Sequence, residues 1–233
     1  MSTSADTEGT SFLYPFIDAE EHGSDSLLTD LASSARSKVR ESSALQQSTL
    51  ADCAELIASC GAQMAERFAN GGRLYAFGNG GSSTDAATFA ALFAQPITGR
   101  PLPALNLAAD QAVLTALGND VGFELVFSRQ IIAHSSSRDV AVAMSTSGNS
   151  ADLMTALGEA SRRGLLTIGF AGYDGGQMAG ASEVDFCFVV KSQSIHRIQE
   201  SQALLGYELW ATVQRDLSPD DAAPMCNGQR GTT

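Results

Sequence analysis

Two short stretches of this chain combine glycines, hydroxyls and amides at a spacing suited to holding an anion. The first, Phe77-Gly78-Asn79-Gly80-Gly81-Ser82-Ser83-Thr84-Asp85, stands where an apolar, β-like run gives way to a helical pattern. Backbone N–H groups and the positive end of the helix can converge there on one anion. A tight strand-to-helix turn capped by Ser82 or Ser83 would account for this stretch taken alone. The second, Ser145-Thr146-Ser147-Gly148-Asn149-Ser150, follows Val140-Ala141-Val142-Ala143-Met144 and precedes a helix from Ala151. Three hydroxyls flank its glycine and a fourth opens the helix. Neutral hydroxyls and amides can envelop a phosphate without a lysine. Two such loops at the carboxyl ends of parallel strands occupy the place where open α/β sheets bind ligands, which favours binding over a mere turn.

Nucleotide readings fit less well. Gly78-x-Gly80 opens like a dinucleotide fingerprint, but Ser83 stands at the third glycine position and Asp110 comes too late for the acidic residue expected about 20 residues on. No GK[ST] occurs, so a Walker A loop is excluded. Fourteen basic against 26 acidic residues give a net charge of −12, which argues against direct nucleic acid binding and against anionic membrane surfaces. A local pocket must therefore hold any anionic ligand. No apolar run approaches the roughly 18 residues of a membrane span, and no signal-peptide pattern opens the chain, so a cytoplasmic location is expected. Cys53, Cys60, Cys187 and Cys226 share no metal-ligand spacing, and the first two fall on an apolar helical stripe as buried thiols.

The loops need a scaffold. Residues 1–24 read as a flexible, solvated tail interrupted by the apolar patch Phe12-Leu13-Tyr14-Pro15-Phe16-Ile17, suited to docking on the domain or a neighbouring subunit. From about Ser26 to Asn70 the pattern is helical, with Leu50, Cys53, Leu56, Ile57, Cys60, Met64 and Phe68 on one stripe before Gly71-Gly72, and two helices are expected before the first strand. Strands are expected at Arg73–Gly78, Leu102–Leu107, Asp139–Ser145, Leu165–Gly172 and Val184–Val190, alternating with helices. That alternation predicts an α/β fold, a parallel sheet with helices on both faces. A last helix from about His196 to Leu217 closes a single domain spanning 25–217, and residues 218–233 read as a disordered tail.

Gly78-Asn79-Gly80-Gly81-Ser82, Gly118-Asn119-Asp120, Ser145-Thr146-Ser147-Gly148-Asn149-Ser150, Gly172-x-Asp174-Gly175-Gly176 and Arg197-Ile198-Gln199-Glu200 occur in the order found in bacterial phosphoheptose (sedoheptulose 7-phosphate) isomerases. Over about residues 45–215 the chain resembles this branch of the sugar isomerase (SIS) domain family, which also includes a non-enzymatic protein that associates with the replication initiator. The resemblance implies a three-layer α-β-α sandwich, flavodoxin-like, with a five-stranded parallel sheet and N-terminal helices. It also implies a homotetramer with ligand sites at subunit interfaces. Carried over by motif, Asn79, Gly80, Gly81 and Ser82 would contact the sugar together with Asn119, Asp120 and Gln199, while Ser145, Thr146, Ser147 and Ser150 would hold the phosphate.

One part of the pattern differs. Moving a proton between neighbouring carbons through an enediolate needs a placed acid/base and a stabilised oxyanion. Phosphoheptose isomerases resemble one another in using a His and a Glu after the first loop, plus a Gln and a His on the last helix, for zinc and for proton transfer. Those positions here are Thr88, Leu92, Gln199 and Tyr207, so no zinc or other cofactor is expected. His196 and Glu200, four apart on the last helix, could supply a substitute acid/base or metal pair, or form an ordinary surface or inter-subunit pair. His134 reads as a residue at a helix C-terminus rather than a ligand. Asp120 remains to bond a sugar hydroxyl or act as an acid/base.

Three functions follow from these residues: a sugar-phosphate-binding ligand sensor or assembly factor without the isomerase chemistry; an active isomerase using Asp120, Glu200, His196 or Tyr207; and a scaffold for a protein partner, using residues 12–17. Ser147→Ala and Ser150→Ala are each expected to weaken phosphate binding by about 0.5–3 kcal/mol, since each removes a hydrogen bond to a charged group, and titration calorimetry with a sugar phosphate would measure the loss.

Overall fold

The computed structural model describes residues 24–218. The tails expected at 1–24 and 218–233, with the apolar patch at 12–17 and Cys226, lie outside the described residues apart from Ser24 and Ser218. The chain falls into two compact units with their boundary between Glu41 and Ser42. In the first, the described part is helix, in which Ser37 donates to the Glu41 carboxylate at 2.9 Å. The second carries the sheet.

The first element is α1 (Ser24–Ala69), a single helix of 46 residues where two were expected. The physical reason lies in the sequence, for no glycine or proline interrupts residues 24–60 and nothing there breaks the i to i−4 ladder. Gly71-Gly72 end the helix as anticipated, with the Gly72 N–H bonding back to the Arg67 carbonyl. There follow β1 (Leu74–Gly78), α2 (Gly81–Ala94), β2 (Ala104–Asn106), α3 (Gln111–Asp120), a 3-10 turn at Phe123–Leu125 and α4 (Val126–His134). After these come β3 (Val140–Met144), α5 (Ala151–Arg162), β4 (Leu166–Gly172), α6 (Gly176–Gly180), β5 (Phe186–Val190) and α7 (Ile195–Leu217).

All five strands are parallel, in the order β2-β1-β3-β4-β5. β2 is shorter than the expected run because Pro101 and Pro103 have no N–H to give the ladder, and the Leu102 N–H bonds instead to the Phe93 carbonyl. β1 and β3 are buried at every residue, as strands covered on both faces must be. Their alternate side chains feed two cores. Leu74 and Ala76 with Val140, Val142 and Met144 face α1, α2 and α7. Tyr75 and Phe77 with Ala141 and Ala143 face α4, α5 and α6. Helices therefore flank the sheet on both sides, giving the three-layer sandwich.

Cys53 and Cys60 sit in the first core. Burial pushes the Cys60 thiol up, and burial with Cys53 nearby pushes Cys187 up to about 11. His134 ends α4, and its carbonyl accepts from the Tyr75 hydroxyl at 2.8 Å. The first core centres on Phe170, whose ring lies 5.1 Å from Phe188 and 5.8 Å from Phe89. Phe170→Ala should cost about 3–5 kcal/mol of stability, read from the midpoint of urea unfolding followed by circular dichroism.

Candidate functional site

The chain steps from β1 outward to β2, then crosses back to place β3 on the other side of β1. This reversal of direction is the switch point at which open α/β sheets leave a crevice beyond the carboxyl ends of their strands. The loops after β1 and β3 are the two hydroxyl-rich stretches of the sequence. They start level with each other, because Gly78 at the end of β1 is the register partner of Met144 at the end of β3.

The first loop enters α2 with Gly80 as cap residue and no side-chain cap, so neither Ser82 nor Ser83 performs the capping expected of it. The helix instead begins ahead of both serines, at Gly81, and the Ser83 N–H bonds to the carbonyls of Asn79 and Gly80. In the second loop the Ser145 hydroxyl accepts from the N–H groups of Ser147 and Gly148 at 3.3 and 3.0 Å. The Ser147 hydroxyl accepts from the Asn149 N–H at 3.3 Å, and Ser150 caps α5 without spending its side chain on the helix. The loop is thus wound by its own hydroxyls around Gly148, which has a φ of +66°. A Cβ at that position would lie 2.1 Å from the Gly175 carbonyl oxygen, so the loops after β3 and β4 touch backbone to backbone. Gly176, in turn, brings its own backbone to the Ser147 carbonyl. The Met178 N–H donates to Gly148, and the Gln177 N–H donates to the Asn149 side chain at 2.9 Å.

The start of α7 spans both loops. Gln199 rests on the first, its Nε2 2.8 Å from where a Gly81 Cβ would stand, and donates to Asp85 at 2.6 Å. One turn on, the fully buried Gln202 donates to the Ser145 carbonyl at 2.8 Å, while its Oε1 and the Ser201 hydroxyl are buried without a partner among the described residues. A second carboxylate, Asp152 in the first turn of α5, joins the loops by accepting from the Asn79 amide at 2.8 and 3.0 Å. In the sequence Asp85 closes the first loop with no role assigned, and Asp152 and Gln202 are not singled out, although Gln202 stands one helical turn after Gln199.

The structure therefore brings together Asn79, Gly80, Gly81, Ser82, Ser145, Thr146, Ser147, Ser150 and Gln199 through these two loops and the helix that bridges them. Asn119 and Asp120 stand apart at the end of α3, exposed, with Asn119 donating to Asp120 at 2.8 Å. Neither is bonded to either loop among the described residues. His196 and Glu200 are exposed on α7, and the Glu200 carboxylate accepts from Ser42 on α1. Asp110, dismissed above as a ribose ligand, caps α3 by accepting from the N–H groups of Ala112 and Val113.

The four positions at which the resemblance implies zinc do not fit that ion. Leu92 has no donor atom and packs against the first core. The Thr88 hydroxyl donates to the Thr84 carbonyl at 3.0 Å, the Gln199 amide is engaged by Asp85, and Tyr207 is 50% exposed with its ring 5.5 Å from that of Trp210. Zinc takes thiolate, imidazole or carboxylate ligands, and none of these is present at the four positions.

Residues 39–172 match the family model of the SIS domain. The chain belongs to the SIS-domain family. Within it, the chain is 39% identical over 183 residues to a phosphoheptose isomerase of Solidesulfovibrio magneticus, covering 78% of this chain and 88% of that one. The solved phosphoheptose isomerase of Neisseria gonorrhoeae superposes with a TM-score of 0.72 at 34% identity, over 78% of this chain and 98% of its own. That of Francisella tularensis gives 0.74 at 27% identity, over 79% and 98%. The five-stranded parallel sheet and its flanking helices are thus the SIS fold of the phosphoheptose isomerase branch.

Gly148→Ala should cost roughly 1–3 kcal/mol through its left-handed backbone alone, and more through the contact with Gly175. A lower thermal midpoint together with loss of phosphate binding in calorimetry is the expected result.

Proposed function

We propose that this SIS protein binds a phosphorylated sugar in the crevice between the loops after β1 and β3, and acts as a ligand sensor or assembly factor rather than as a zinc-assisted isomerase. The observation that carries this reading is the second loop, Ser145–Ser150, whose own hydroxyls hold its turn in place at the switch point while the Ser150 side chain is left uncommitted to the helix. On a protein with a net charge of −12, a neutral, hydrogen-bonding cradle avoids the need for a basic surface. In this reading Ser145, Thr146, Ser147 and Ser150 take the phosphate, and Asn79, Gly80, Gly81, Ser82 and Gln199 take the sugar. The relatives named phosphoheptose isomerases support the ligand class. The replacement of their acid/base positions by Thr88, Leu92 and Tyr207 supports the absence of that chemistry.

Asn119 and Asp120 enter the same reading through a homotetramer. Helix α3 buries none of its side chains, Val113 is exposed on it, and Val121 and Phe123 are exposed just beyond it, the last at 60%. A second copy covering this apolar face would bring Asn119 and Asp120 to a ligand site shared between subunits. No helix of the described residues is long and apolar enough to cross a membrane.

A second reading, an active isomerase of sedoheptulose 7-phosphate or another sugar phosphate, is favoured by the names of the relatives. Asp120, Glu200 or His196 would then move the proton. Titration calorimetry with sedoheptulose 7-phosphate, followed by an isomerase assay on the same sample with and without added zinc, separates the two. Binding without turnover is expected; turnover abolished by Asp120→Asn or Glu200→Gln would establish the isomerase, and no binding at all would remove both readings.

A further inference from the structure

We infer that Asp152 is a positioning residue that turns the Asn79 amide so that its carbonyl oxygen, not its nitrogen, is offered to the ligand. The first loop then selects a hydroxyl donor, and the anionic end of the ligand is left to the second loop. This deepens the sugar-phosphate reading and rests on it. Asp152 is only 5% exposed, and both of its carboxylate oxygens lie within 3.0 Å of Asn79 Nδ2. An ionised carboxylate only accepts, so the amide nitrogen must face it and the amide oxygen must face away. Asp152 stands in the first turn of α5, at the positive end of that helix.

The same chemistry recurs at the other amide of the crevice. Gln199 gives its nitrogen to Asp85 at 2.6 Å, so its oxygen is also turned from the carboxylate that holds it. Two amides oriented alike by two carboxylates make this side of the crevice an acceptor edge. An anion would meet amide oxygens with negative charge behind them, whereas a sugar hydroxyl would donate to them. The second loop offers the opposite character through the hydroxyls of Ser145, Ser147 and Ser150. The arrangement therefore reads a ligand with a phosphate at one end and hydroxyl groups at the other, and discriminates between the ends.

The test uses the full chain, calorimetric titration, and two probes, inorganic phosphate and sedoheptulose 7-phosphate. D152N should lower affinity for the sugar phosphate by roughly three- to tenfold, the loss of one well-made hydrogen bond, and leave that for inorganic phosphate unchanged. The double variant N79D/D152N rebuilds the pair with its polarity reversed and keeps an acceptor oxygen at position 79. It should recover the preference for the sugar phosphate, and it carries the test by itself if D152N does not fold. An equal loss for both probes in D152N, or a double variant without the preference, would overturn the inference by making Asp152 a structural support only. Unchanged affinities in D152N would overturn it as well, while leaving the sugar-phosphate reading intact. Failure of the unaltered protein to bind either probe would overturn both together.

Discussion

The site depends on a contact made mainly between two backbones. The loop after β3 is pressed onto the loop after β4 so closely that the Gly148 Cα faces the Gly175 carbonyl and the Gly176 Cα faces the Ser147 carbonyl. Backbone bonds from Gly172 to Thr146 and from Met178 to Gly148 close the contact. With the outer side of the turn held against its neighbour in this way, the Ser145 and Ser147 hydroxyls are free to wind the inner side. A loop supported on one flank and hydrogen-bonded within itself loses little conformational freedom when a ligand arrives, so more of the contact energy is expressed as affinity.

The neighbouring carboxylates serve the same end. In a protein with 26 acidic and 14 basic residues, an anion pocket flanked by loose aspartates would repel its ligand. Asp152 and Asp85 are each committed to an amide, and each pairing ties together segments distant in the chain. Asp152 links the first loop to α5, and Asp85 links α2 to α7. Gln202 completes the frame by joining α7 to the second loop at Ser145. Two strand-to-helix turns and the opening of the last helix thereby become one rigid constellation, although the strands alone would hold only their starting points.

Local chemistry explains what was legible in the sequence. Five apolar runs alternating with helical stretches were enough for a parallel sheet, because strands buried on both faces need a nearly continuous apolar pattern. The loops Gly78–Asp85 and Ser145–Ser150 announced themselves through residues that few other environments require side by side. Asp85, Asp152 and Gln202 did not, for Asn79 and Asp152 are 73 residues apart and Asp85 and Gln199 are 114 apart. An aspartate in the first turn of a helix reads as ordinary dipole complementation until its partner is known. The single helix α1 was misread as two because the apolar stripe weakens toward its N-terminal end, although no residue there compels a break. The start of β2 was misjudged for the opposite reason: Pro101 and Pro103 carried the signal, and the surrounding apolar residues outweighed it.

The fate of Gln199 connects the frame to the chemistry. The resemblance implies that the corresponding glutamine of phosphoheptose isomerases is one of four residues grouped for zinc and proton transfer, its neighbours in that set being histidines and a glutamate. Here those neighbours are Thr88, Leu92 and Tyr207, whose side chains serve the helix backbone, the core and the surface in turn. The Asp85 carboxylate, one helical turn from the opening of α2, supplies a strong acceptor and fixes the amide. The amides of Gln199 and Asn79 are thus both oriented by carboxylates, Asp85 and Asp152.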